Sequence, residues 1–200
     1  DVEAQDRYKK TAVIIASNYG RKEALKILLD AKASPDTFNA FNTNALLMAA
    51  AQGNLDITRI LIDAKANIHV RDGRQLSPLL IASDHGYTAV VRVLLDSKAS
   101  VHDVDDIVMT PLAKASMKGH VEVMQLLLGV NADIETREQY SRTPLMLAAM
   151  RGYVNAVKLL LDAKANVFAE DENGASSLSL ASSSGHPKVL NILAHAVNNA

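Results

Sequence analysis

Six histidines, at 69, 85, 102, 120, 186 and 195, are the side chains of this chain best suited to hold a metal or move a proton near neutral pH. His69 and His102 are 33 residues apart and occupy equivalent loop positions of a repeated pattern. Packed helical layers are roughly 8–10 Å apart, so these two imidazoles cannot share a zinc that needs each nitrogen at about 2 Å. No HExxH or CxxC spacing occurs, and there is no cysteine to act as thiolate ligand, nucleophile or disulfide partner. The carboxylate clusters Asp105–Asp106 and Glu170–Asp171–Glu172 lie in polar, turn-rich stretches. They are expected to be solvated tips with ordinary carboxylates, not acid/base pairs. The serines of SSLSLASSSG, at 176–185, lack the GxSxG context of an activated nucleophile, and no phosphate-cradling glycine loop is present. The expectation is a protein that is not an enzyme, with no catalytic residues, no metal site and no cofactor.

The elements that would position any site follow from composition and period. The 200 residues are 48% apolar and only 4% aromatic, enough to build a large core from Ala, Leu, Ile and Val. With 21 basic against 22 acidic residues the formal charge is −1, which gives no global electrostatic reason to expect a nucleic acid or an anionic membrane as partner. No apolar run approaches the roughly 20 residues needed to span a bilayer, and the first residues, DVEAQDRYKK, lack the order of a signal peptide. No direct membrane insertion is expected.

Glycines stand at 20, 53, 86, 119, 152 and 185, each 33 residues after the last, and nine residues before each is Thr11, Asn44, Ser77, Thr110, Thr143 or Ser176. In TPLMLAAMRG, at 143–152, the threonine caps a short helix and proline sits in its first turn, where a missing N–H is harmless. After the glycine, NAVKLLLDA places Ala156, Leu159, Leu160 and Ala163 at helical spacing, which predicts a second helix with one buried stripe. Each unit is therefore helix, glycine turn, helix and extended loop. One pair cannot bury its own apolar face, so the units must stack, with Leu46, Leu79, Leu112, Leu145 and Leu178 as a core column.

TPL followed by a small residue, the glycine turn and a V-x-x-LL run, all at a period of 33, resemble the ankyrin repeat, and the resemblance covers essentially the whole chain. It implies an all-α fold, an ankyrin-repeat solenoid of stacked helix-turn-helix units with hairpin-like loops. The expected organisation is a single domain over 1–200, with 1–10 a partial upstream loop and six repeats starting near 11, 44, 77, 110, 143 and 176. His120 and His186 match the family's G-H turn and are expected to be structural. The family's histidine after TPL is replaced by Ile14, Leu47, Leu80, Ala113, Met146 and Ser179. Its loop-tip glycine survives only as Gly174, with Lys9, Asn42, Gln75, Val108 and Ser141 elsewhere.

The resemblance also implies a concave surface, formed by loop tips and first helices, that binds another protein. The partner-binding residues expected there are Phe38, Phe41, Arg71, Arg74, Leu76, Val104, Ile107, Met109, Met117, Arg137, Tyr140, Arg142, Met150 and Arg151. Methionine and aromatics beside arginine are the mixture favoured at interface cores, and a peptide or helix with apolar anchors beside acidic residues would suit them. The alternative is that some tips fold inward and cover one another. Replacing Met109 and Tyr140 together by lysine is expected to abolish binding without unfolding the stack. The expected function is a non-catalytic protein–protein interaction module, with a structural spacer or scaffold segment of a larger protein as the alternative. The chain is expected to be a monomeric fragment and cytoplasmic, with a protein or peptide ligand and no nucleic acid.

The stretch LLDAKA and its near-copies place Lys32, Lys65, Lys98 and Lys164, with Asn131 in the fourth unit, just past each second helix, where the family has glycine. A left-handed backbone is expected there. Asp30, Asp63, Asp96 and Asp162 run parallel two residues earlier. The lysines are thus better read as half of a locally neutral pair of columns than as a polyanion ladder.

Overall fold

The computed structural model describes residues 1–199, and these condense into two compact units, one of residues 1–100 and one of the described residues from 101 on. The described residues form twelve helices. The first unit holds α1 (Ala12–Asn18), α2 (Lys22–Asp30), α3 (Ala45–Ala51), α4 (Leu55–Asp63), α5 (Pro78–His85) and α6 (Thr88–Asp96). The second holds α7 (Pro111–Lys118), α8 (Val121–Gly129), α9 (Pro144–Met150), α10 (Val154–Asp162), α11 (Ser177–Ser183) and α12 (Pro187–Asn198). Among the described residues none of these helices is long and apolar enough to cross a membrane.

Each first helix starts as its sequence requires. Thr11, Asn44, Ser77, Thr110, Thr143 and Ser176 have extended backbones, and each side-chain oxygen accepts the N–H three residues on, at 3.0–3.4 Å. Each pair of helices is then joined through a left-handed glycine. Gly152 shows why that residue is required: φ is +74°, and an added Cβ would lie 2.5 Å from Nδ1 of His186. The imidazole of His186 packs over this bare glycine, and its Nε2 lies 3.1 Å from the carbonyl oxygen of Met150. Nothing in that contact calls for catalysis.

Within the first unit α1 packs on α3 and α3 on α5; within the second, α7 packs on α9 and α9 on α11. Alanines make these approaches possible: Ala16, Ala49, Ala82, Ala115, Ala148 and Ala181 are all buried. Leu46, Leu79, Leu112 and Leu145 are fully buried, so truncating one to alanine would cost about 2–5 kcal/mol. Leu178, in the last repeat, is only half-buried, and the core column thins there.

The second helices end in one repeated device. The N–H of Ala33 reaches back to the carbonyl of Leu28 and that of Lys32 to Leu29, and the same two bonds recur after α4, α6, α8 and α10. Closing this reciprocal pair demands a left-handed residue. Accordingly Lys32, Lys65, Lys98, Asn131 and Lys164 have φ between +61° and +71°, as the LLDAKA pattern predicts. The alanine that follows each of them is buried.

Candidate functional site

The loop tips are built on one recurring anchor. Asp6, Asn39, Asp72, Asp105, Glu138 and Asp171 each accept, through a single side-chain oxygen, the backbone N–H groups two and four residues on, at 2.8–3.1 Å. These bonds bend the chain through a left-handed residue at Lys9, Asn42, Gln75, Val108, Ser141 or Gly174, with φ from +54° to +73°. Five of the six tips thus adopt the glycine conformation without glycine. For Val108 the cost is greatest, because a branched Cβ crowds the left-handed backbone.

Successive tips are then stitched together. The carbonyl of Tyr8 accepts the N–H of Ala40 at 2.8 Å, that of Ile107 the N–H of Gln139 at 3.2 Å, and that of Tyr140 the N–H of Glu172 at 3.3 Å. Tyr8, Phe41, Ile107 and Tyr140 belong to one column of the period, so the stitching holds their side chains on fixed backbone.

In the first unit the rings of Tyr8 and Phe41 have centroids 6.0 Å apart. Tyr8 is 39% and Phe41 64% exposed. The guanidinium of Arg7 lies 4.6 Å from the Tyr8 ring centroid and Nζ of Lys10 lies 5.6 Å from it. Phe38, Arg71 and Leu76 are half-buried and Arg74 is exposed. Arg71 is partly engaged, its Nη1 donating to the carbonyl of Gln75 at 3.4 Å.

In the second unit Met109, Ala113 and Leu147 form a buried cluster, with Ile107, Met117 and Met150 packed over it. Met109 is only 2% exposed, so it is the floor of this patch and not a contact. Its side chain packs inward against Ala113 and Leu147, while its backbone N–H donates to Asp105 at 2.8 Å. A lysine at 109 would bury a charge, so the Met109 and Tyr140 double replacement would report on folding before binding. Val104 is half-buried, while Arg137, Tyr140 and Arg151 are exposed. Arg137 donates from Nη1 to the carbonyls of Ser141 (2.8 Å) and Glu170 (2.7 Å), bracing two tips. Arg142 is half-buried, lies 5.2 Å from the Tyr140 ring centroid, and places Nε 3.4 Å from Oδ2 of Asp171.

Two of the carboxylates expected to be solvated are not. Asp105 and Asp171 are buried by the tips they organise, whereas Asp106, Glu170 and Glu172 are exposed. Burial of the Asp171 carboxyl pushes its pKa up, but the N–H groups of Ala175 and Asn173 and the Arg142 guanidinium outweigh this and hold it below the ordinary value. Oδ2 of Asp105 faces Nζ of Lys114 at 2.6 Å, and both side chains are almost wholly buried. Lys114 was detectable in the sequence as the one cation in a column that otherwise reads Ile15, Met48, Ile81, Leu147 and Leu180. Tyr8 was detectable too, one period before Phe41. Among the described residues no group of three or more histidines and carboxylates is placed to hold a metal ion.

A family model matches this chain three times over, at residues 1–72, 46–138 and 112–200, and the family it describes is the ankyrin repeats. No curated protein matches the chain.

Proposed function

Since this chain belongs to the ankyrin-repeat family, whose members are generally protein–protein interaction modules, we propose that it is a non-catalytic module binding a peptide or protein segment on its loop tips and first helices. One observation supports this reading above the rest. Six tips share the same two-bond anchor and the same left-handed bend, while the side chains around that constant frame differ from tip to tip. Several of these are large, apolar and exposed, namely Phe41, Val108 and Tyr140. Exposed apolar side chains on a rigid backbone offer contact area at little cost in ordering, which is the property of a preorganised interface. The arginines beside them add directionality.

The test selects binders from a random displayed peptide library on the immobilised chain. Retention of those peptides is then compared between Phe41→Ser with Tyr140→Ser and a control pair on the exposed faces of second helices, Arg59→Ser with Lys158→Ser. Loss with the first pair and retention with the second is the expected outcome. Retention with the first and loss with the second would refute the assignment of the surface.

A further inference from the structure

We infer that the tips of the first unit take an acidic peptide with two apolar anchors, an inference that rests on the tip-binding function proposed above and names the partner it serves. The charge carried by these tips points to it. Arg7, Lys9, Lys10 and Arg74 are their cations, and Asp6 and Asp72 their only anions. Both aspartates accept two backbone N–H groups each, and four cations against two anions leave these tips net positive. The middle tip carries no charge because Asn39 performs the anchoring done elsewhere by a carboxylate. A chain of net charge −1 therefore presents a cationic surface at these tips. The tips of the second unit reverse the balance: Asp106, Glu170 and Glu172 are exposed, Arg142 is paired to Asp171, and Arg137 is engaged with the carbonyls of Ser141 and Glu170. An acidic ligand is thereby directed to one unit and not the other.

The apolar part of the recognition is the pair Tyr8 and Phe41. Their ring centroids are 6.0 Å apart, close to the rise of about 6.6 Å between alternate residues of an extended strand, whose side chains share one face. Two apolar side chains separated by one residue would therefore meet the two rings in turn. Arg7, with its guanidinium over the Tyr8 ring, is held by stacking while its edge donors remain suited to bidentate capture of a carboxylate. The carboxylates accordingly belong beside the anchors, outside the apolar pair.

Single-stranded nucleic acid is the competing class, since aromatics and cations also make a base-stacking platform. The observations favour the peptide. The 6.0 Å between the two ring centroids suits alternate side chains of an extended strand, whereas stacked bases follow one another at about 3.4 Å.

Fluorescence anisotropy of the whole chain with a labelled Glu-Glu-Leu-Ser-Phe-Glu-Glu peptide tests this. Exchanging every Glu of the peptide for Gln is expected to weaken binding roughly tenfold, as are Arg7→Gln and Lys10→Gln in the protein. Lys158→Gln, at an exposed site on α10 of the second unit, is expected to leave the affinity unchanged. Equal affinity for the Glu and Gln peptides, or indifference to both Arg7→Gln and Lys10→Gln, would overturn the inference. So would tighter binding of a short single-stranded oligothymidylate, which would assign the surface to nucleic acid. If library selection instead enriches non-acidic peptides that are lost with Tyr140→Ser alone, this inference fails while the binding function stands. If no selected peptide depends on any tip, the function itself fails.

Discussion

Replacing Lys32, Lys65, Lys98 and Lys164 together by glycine should stabilise the protein, although it removes four residues of the most repeated stretch in the sequence. All four are exposed, with φ between +65° and +71°. A side chain in the left-handed region costs about 1–2 kcal/mol per residue. Glycine relieves this, but it gives back about 0.5–1 kcal/mol through the greater entropy of the unfolded chain. Loss of a cation near a helix C-terminus gives back a further few tenths of a kcal/mol at ordinary salt. The net gain is about 0.5 kcal/mol per site, or about 2 kcal/mol for the four together. With a urea slope of about 2 kcal/mol per molar, the unfolding midpoint should rise by about 1 M at constant slope. Asn131 supplies an internal control. It stands at the same position with φ +61° and tolerates the left-handed region better, so Asn131→Gly should gain less than any single lysine replacement. A midpoint that falls would refute the reasoning and show that the lysines make stabilising contacts outweighing their strain. A gain at Asn131 as large as at the lysines would refute the residue-specific part of it.

Lys114→Met should cost about 3 kcal/mol, since it leaves Oδ2 of Asp105 buried and uncompensated. Adding Asp105→Asn should recover most of that loss in a urea titration, because Asn39 and Met48 already form this pairing of residue types one repeat pair earlier in the chain. Ser17, Ser83 and Ser116 bury hydroxyls that have no hydrogen-bond partner among the described residues, where Ala50 and Ala149 occupy the same column. Each Ser→Ala change should therefore stabilise by about 1 kcal/mol in the same assay. Asp171 has a lowered folded pKa, so its contribution is present in full above the ordinary carboxylate value of 3.8 and is lost as pH falls through the folded value. Thermal melts should show Asp171→Asn less stable than the parent at pH 7 by about 1 kcal/mol. The difference should shrink below pH 4, because the asparagine keeps both backbone bonds, as Asn39 does, and loses only the Arg142 partner.

The period carried most of the fold because each residue role is stated six times. Thr11, Asn44 and Ser77 differ as residues yet share one capping geometry, and the position of Lys32 can be assigned from a column that includes Asn131. What the period does not encode is which way a tip side chain turns. Met109 sits beside the exposed Val108 and in the same column as the half-buried Thr43 and the half-buried, paired Arg142, yet it is almost wholly buried. Its fate depends on the space left by Ala113 and Leu147, which comes from another repeat and not from the local sequence. Asp105 and Asp171 depart from the sequence expectation for the same reason. A tip carboxylate looks solvated until its two backbone N–H bonds and its Lys114 or Arg142 partner are in view. Tyr8 is hidden in the sequence because the segment before the first cap reads as an incomplete loop, although its anchor at Asp6 is as fully formed as the other five.

The most direct measurement is a map of backbone amide shifts when the chain, labelled for nuclear magnetic resonance, is titrated with a library-selected peptide. The perturbed amides are expected to belong to the tips around Tyr8, Phe41, Arg74, Ile107 and Tyr140 or to the adjoining first helices. Perturbations confined to the outward faces of the second helices, around Arg59, Arg92 and Lys158, would contradict this expectation.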